Sequence, residues 1–332
     1  MSSITSPLFT LQKNARGLKR RFQFISYVFF AFAALSSAQI VTAQEQAIES
    51  KIAIHSQLLD GDSKNNLMIV VGERGHILYS EDDGQNWQQG KVPSRALLTG
   101  VFMHDEKLAW AVGHDATILR SRDGGKHWQR VYYDPDMESP LLDVWFKDEH
   151  SGYAIGAYGL FLETQDGGDS WTQRWINEED DFHLNHITQL NEHQLFIAAE
   201  AGMTYRSNDL GATWESLDSP YHGSYFGSQV FANNKLVLFG LRGHLFMSTD
   251  QGDTWVSQNT NTSAMLTSAI KTRDNLCLVS GLDGVLLINK QCDGQQFTQH
   301  SFASRSAFSA MLETQRGDIL LIGESGITKF KP

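Results

Sequence analysis

An all-β fold of seven four-stranded antiparallel blades, closed into a ring as a β-propeller, is predicted by three features of this sequence. The first is a turn signature, Ser/Thr-x-Asp-x-Gly-x-x-Trp, that recurs at spacings of 41 to 43 residues. Its copies are Ser80/Asp82/Gly84/Trp87, Ser121/Asp123/Gly125/Trp128, Thr164/Asp166/Gly168/Trp171, Ser207/Asp209/Gly211/Trp214 and Ser248/Asp250/Gly252/Trp255. A sixth, decayed copy reads Lys290/Cys292/Gly294/Phe297. Such a period marks stacked units that bury their apolar faces only against one another. The second feature is a Gly-x-x-Gly turn about eight residues ahead of each box: Gly72 to Gly75, Gly113 to Ala116, Gly156 to Gly159, Ala199 to Gly202, Gly240 to Gly243, Gly281 to Gly284 and Gly323 to Gly326. The third is the set of short apolar runs around these turns, which supply four strands per unit.

Within one unit the elements follow in a fixed order. A first strand reads Leu141-Leu142-Asp143-Val144-Trp145-Phe146, and a second, as in Leu67-Met68-Ile69-Val70-Val71, leads into the glycine turn. A third strand such as Ile77-Leu78-Tyr79 runs into the box, whose tryptophan opens the fourth, as in Trp171-Thr172-Gln173-Arg174-Trp175. The box residues suit a folding role. An aspartate in a tight turn accepts backbone N–H bonds, glycine takes positive φ, and the aromatic fills the space between blades. Because the box joins strands three and four while the glycine turn joins two and three, the two turns lie on opposite faces, and the glycine-turn face is the one to search for function.

The ends of the chain raise the question of closure. Unit seven supplies Phe308 to Leu312, Ile319 to Ile322 and Ile327 to Phe330 and then stops at Pro332, with no fourth strand. The segment Gln46 to Ile54 is the expected donor of the missing outer strand, so that the ring is closed by an N-terminal strand.

Residues 1–43 read as a signal peptide and residues 44–332 as a single propeller domain. Lys13, Arg16, Lys19, Arg20 and Arg21 form a basic lead, Phe22 to Leu35 an apolar stretch, and Val41-Thr42-Ala43 a cleavage site, with a cut after Ala38 as the alternative. Export, to the periplasm in a Gram-negative cell, is the expectation, and an uncleaved membrane anchor is the other reading of the same segment. Removing the leader leaves 22 Lys and Arg against 38 Asp and Glu, a net charge of −16. That charge argues against nucleic acid as a partner, since such binding rests on cations that neutralise phosphates.

Two cysteines in an oxidising compartment form a candidate disulfide. A hairpin closing around Leu282-Asp283 places Cys277 opposite Ile288 and leaves Cys292 about four residues past alignment, so both the bonded and the free state stay open.

The segment from Leu141-Leu142-Asp143-Val144-Trp145-Phe146 through Gly156-Ala157-Tyr158-Gly159-Leu160-Phe161 to Asp166-Gly167-Gly168-Asp169-Ser170-Trp171 resembles the photosystem II stability/assembly factor family, which has relatives in non-photosynthetic bacteria. The resemblance covers roughly Ser56 to Phe330. It implies a seven-bladed propeller without catalysis that serves, outside a membrane, as an assembly or stability factor for an integral membrane protein complex. Thylakoid members present an arginine-rich face, whereas this chain is acidic, so a different membrane complex, such as a transport system, is the expected partner.

The turns between second and third strands define the expected protein-contact face: Glu73, Arg74, His114, Asp115, Tyr158, Glu200, Arg242, Asp283 and Glu324. Loops leading into each blade, 93–95, 134–138, 177–183 and 220–225, should reach the same side. Aromatic and mixed-charge residues of this kind suit protein recognition. No catalytic residue, metal or cofactor is expected. The alternative is a glycoside hydrolase or sialidase-like enzyme acting on carbohydrate, which needs two carboxylates across a cleft; Glu73, Asp115, Asp143 and Glu200 are its candidates. Against it, no Arg-Ile-Pro sequence precedes the first box, and seven units are counted where sialidases use six. Asp143 and His186, on first strands, are placed near the axial channel, where polar lining is the ordinary condition.

Overall fold

In a computed structural model the chain is described over residues 45–292 and 296–332, which form seven antiparallel sheets arranged as the blades of a propeller. Residues 1–44, which hold the expected signal peptide, and 293–295, which include Gly294 of the decayed box, lie outside the described residues. Blade 1 comprises Leu58–Lys64, Leu67–Gly72, Ile77–Ser80 and Gln88–Gln89, and the next five repeat this simple up-and-down order. First strands of successive blades touch all the way round, from Leu58–Lys64 to Phe308–Glu313 and back, so they line the axis.

Each strand's composition follows from its position in the blade. Second strands such as Leu67–Gly72, Leu195–Ala199 and Ile319–Gly323 are buried along their whole length, because a neighbouring blade covers each side; they therefore read as unbroken apolar runs. Several fourth strands are short and polar, as in Glu215–Ser216 and Gln88–Gln89, which leaves little outer edge there to pair with another chain; Trp128–Tyr132 of blade 2 is longer. The first glycine of each turn is extended rather than left-handed; at Gly156, φ is −165°. What it provides is room, since a Cβ there would collide with the Pro140 carbonyl at the start of the first strand. The next amide, Ala157 N–H, donates to that same carbonyl at 2.9 Å.

Between neighbouring blades lie seven apolar clusters. The one joining blades 2 and 3 packs Trp110, Val112 and Ile118 against Val144, Phe146 and Leu162, with the Trp110 and Phe146 rings stacked 3.5 Å apart. The boxes fasten these interfaces. Thr164 Oγ1 donates to Asp166 Oδ1 at 2.8 Å and accepts the Gly168 N–H at 2.9 Å, while Asp166 Oδ1 accepts the Ser170 N–H at 2.9 Å. In all five boxes the residue before the tryptophan, Asn86, His127, Ser170, Thr213 or Thr254, also bonds the second carboxylate oxygen. The tryptophan then enters the preceding cluster: Trp128 is buried between blades 1 and 2 and donates Nε1–H to the Gly125 carbonyl at 2.9 Å.

Closure differs from the expectation. The seventh sheet has three strands, Phe308–Glu313, Ile319–Gly323 and Gly326–Phe330, and no N-terminal strand joins it among the described residues. The segment before blade 1 binds blade 1 itself: Ala47 N–H donates to the Val92 carbonyl at 2.8 Å, and Ser50 N–H to Gln89 Oε1 at 2.9 Å. These two amides are thus engaged by blade 1 rather than by blade 7. A short 3-10 turn, Ala53–His55, follows and packs on the Gly326 turn. Side chains close the seam instead: Leu58, Met68 and Val70 meet Ala310, Leu320 and Ile322. At about 2 kcal/mol for each large apolar side chain so buried, this seam holds without a shared strand. Gln315 adds bonds from its N–H to Asp83 Oδ1 at 2.7 Å and from Nε2 to the Asn65 carbonyl at 2.9 Å.

Cys277 and Cys292 form a disulfide with Cα atoms 4.9 Å apart. Cys277 faces Asn289, not Ile288, and a turn in which Cys292 N–H donates to the Asn289 carbonyl at 3.4 Å carries the second sulfur back to the first. Cys292 takes φ of 50° at this bend.

Candidate functional site

Because the strands alternate in direction, the second-to-third-strand turns gather at the end of the blades away from the boxes. All nine sequence-predicted contact residues lie on them. In six blades the third residue of the turn is left-handed although it is not glycine: Arg74, Asp115, Tyr158, Ala201, Arg242 and Asp283, with φ of 55° to 57°. Left-handed backbone costs a residue with a Cβ roughly 1 kcal/mol, so the turn is held by its surroundings. The loops that lead into the blades supply that hold. Gly75 N–H donates to the Ala96 carbonyl at 2.9 Å, and Gly159 N–H to the Phe182 carbonyl at 3.0 Å. Loops 93–95 and 177–183 therefore share the face with the turns, as expected.

The nine residues are distributed round the ring rather than converging. Arg74 lies 3.9 Å from its neighbour Glu73. His114 and Asp115 are exposed on blade 2, and the Asp115 carbonyl accepts from Asp134 N–H at 3.2 Å. Tyr158 and Glu200 are linked through His183, whose ring meets the Tyr158 ring edge-on at 4.9 Å and whose Nδ1 is 3.7 Å from Glu200 Oε2. Arg242, Asp283 and Glu324 stand exposed on blades 5, 6 and 7.

The axial channel is a second concavity, of about 690 Å³. Asp143 and His186 do line it, with Nε2 and Oδ2 3.8 Å apart. Two further carboxylates, Asp60 and Asp62, share the channel. Sequence reasoning missed them, although Leu58-Leu59-Asp60 has the same form as Leu141-Leu142-Asp143. Loss of hydration pushes all three carboxyls upward; Asp60 rises well above the usual range because the Asp143 and Asp62 charges add to its burial. Each nevertheless has a structural task. Asp60 accepts the Val101 N–H at 2.9 Å, Asp62 the Met103 N–H at 2.7 Å, and Asp143 the Ile187 N–H at 2.9 Å, so carboxylates on one first strand tether the next.

The hydrolase candidates are not brought together as a set: Glu73, Asp115 and Glu200 lie on the turns of blades 1, 2 and 4, and Asp143 lies in the channel. Among the described residues, no group of three or more His, Cys, Asp or Glu side chains has the arrangement to hold a metal ion.

Residues 132–222 match the family model of the photosynthesis system II assembly factor YCF48, in agreement with the resemblance carried by the third unit. No curated protein matches the sequence. Among solved structures, the chain is similar to YCF48 bound to a D1 peptide, with 18% identity, a TM-score of 0.69 and coverage of 87% of this chain and 96% of that one. YCF48 from Cyanidioschyzon merolae is 16% identical with a TM-score of 0.67, over 87% of this chain and 98% of that one. A streptogramin B lyase is 11% identical with a TM-score of 0.71, over 86% and 96%. At such identities these structures bear on the fold alone, and a lyase among them means that the fold does not decide between binding and catalysis.

Proposed function

We propose, from the likeness to the YCF48 family over residues 132–222, that this chain is an exported, non-enzymatic propeller that binds a membrane-associated protein complex and supports its assembly or stability. The family match is the observation that carries this reading. A related propeller solved with a D1 peptide supports the choice of a protein ligand. The contact face is the one bearing Glu73, Arg74, His114, Asp115, Tyr158, Glu200, Arg242, Asp283 and Glu324. The leader, residues 1–43, directs export, and the net charge of −16 after its removal favours a partner other than a photosystem.

The test is capture of partners from detergent-solubilised envelopes by the tagged protein, repeated with Arg74→Ala, Tyr158→Ala and Arg242→Ala combined. One envelope complex retained by the original chain and lost by the triple variant is the expected result. Retention by the variant moves the contact surface elsewhere, and turnover of a chromogenic glycoside that one carboxylate-to-amide change abolishes replaces the binding reading with a hydrolase.

A further inference from the structure

The contact face is uneven in both charge and apolar character. Three large aromatics are exposed on blades 2 and 3: Tyr158 at 56%, Trp175 at 47% and Tyr133 at 44%. Single exposed aromatics are ordinary on a protein surface. These three differ in sharing one sector and in being braced. The Arg130 guanidinium lies over the Tyr133 ring at 4.1 Å, His183 meets Tyr158 edge-on, and Trp175 packs beside Gly159. Aromatics already held in place lose little freedom on binding, which is the property of an interface anchor.

The loops around them are acidic. Asp136, Glu138, Glu178, Glu179 and Asp181 are exposed, and none has an ion-pair partner among the described residues. The exposed arginines of the same face, Arg74, Arg95, Arg242 and Arg305, lie on blades 1 and 5 and in the loops that enter blades 2 and 7, so they flank the acidic loops rather than mingle with them. Unpaired carboxylates beside braced rings suit a ligand that brings its own cations and an apolar surface, while phosphate-bearing ligands are repelled there.

Resting on the protein-binding reading above, we infer that the sector of blades 2 to 4 seats a basic, extended protein segment, its cations against loops 134–138 and 177–181 and its apolar side chains over Tyr133, Tyr158 and Trp175.

The test is fluorescence anisotropy with two labelled decapeptides, alternating Arg-Leu and alternating Glu-Leu, titrated with the full chain. The expected result is binding of the Arg-Leu peptide only, weakening with salt and falling about tenfold in Glu178→Gln/Glu179→Gln and again in Tyr158→Ala/Trp175→Ala. Thermal melts confirm that each variant is folded. Failure of the Arg-Leu peptide to bind, equal binding of both peptides, or indifference to the two sector variants overturns the inference. Envelope capture separates the two levels. A complex held equally by the original chain and by the combined sector variant removes this inference but leaves the assembly-factor reading, whereas no captured complex removes that reading and leaves the peptide result to be judged on its own.

Discussion

The Arg120 guanidinium, buried in blade 2, meets the Asp169 carboxylate of blade 3 with Nη2 and Oδ1 2.7 Å apart. Its Nη1 also donates to the Gly167 carbonyl of the same box at 2.9 Å. Arg206 repeats the device two interfaces on, between blades 4 and 5: its Nη1 donates to Asp253 Oδ1 at 2.8 Å and to the Gln251 carbonyl at 3.1 Å. Arginine on a third strand thus clamps the corner of the following blade. Arg120→Ala removes two charge-assisted bonds at a buried site and should cost about 2 kcal/mol, read as a lower urea midpoint with an unchanged slope. An unchanged midpoint would show that the clamp contributes nothing net.

Thr164 tests the box from its other side. Thr164→Val keeps the shape but deprives the buried Gly168 N–H of its acceptor, for an expected loss of about 2 kcal/mol in the same assay. The box carboxylates set an acid limit as well. Hydrogen bonds from Ser170 and Thr254 hold Asp166 and Asp250 down to about 2. For an acid depressed on folding, the stabilisation is present above pH 3.8 and is lost as pH falls toward 2. Asp166→Asn should therefore flatten part of the acid limb of a stability profile, and an unaltered limb would refute the assignment.

Asp60 carries the opposite sign. Its carboxyl is raised on folding, so the folded chain binds that proton more tightly than the unfolded chain, and stability declines as pH climbs above 3.8. Asp60→Asn retains an oxygen for the Val101 N–H and removes the charge. It should raise the thermal midpoint at neutral pH, with the gain vanishing below pH 3.8. A gain that is independent of pH would point to packing rather than charge.

The disulfide closes a loop with a sequence separation of 15 residues. Its removal in Cys277→Ala/Cys292→Ala should cost about 3 kcal/mol on loop-closure grounds. Guanidinium unfolding of the double variant beside the oxidised chain measures it; coincident curves would mean that the sixth corner holds without the bond.

Closure gives a further contrast. Trimming residues 45–50 removes a few bonds to blade 1 and should lower stability by about 1 to 2 kcal/mol. Leu320→Ala opens a cavity in the seam between blades 7 and 1 and should cost about 3 kcal/mol. The reverse ranking in a thermal melt would mean that the leading segment, not the seam, holds the ring.

The repeat period, the seven blades, the placing of boxes and glycine turns at opposite ends and the positions of all nine turn residues were legible in the sequence. Each of these follows from local rules: a turn needs particular residues at particular spacings, and antiparallel strands fix which end a turn occupies. What only the folded chain decided are contacts between units. Whether Gln46 to Ile54 pairs with blade 7 depended on competition from Val92 and Gln89, which the sequence does not rank. The Cys277 register moved by one residue because the hairpin is centred on left-handed Asp283, as the other hairpins are on Arg74 and Tyr158. Asp60 and Asp62 acquired their neighbour Asp143 by the curling of the ring, and Tyr133 came to stand one blade away from Tyr158 and Trp175 because blades 2 and 3 are adjacent. Periodicity encodes what each blade is; the angle and packing between blades, a sum of many side-chain contacts, encodes what they do together.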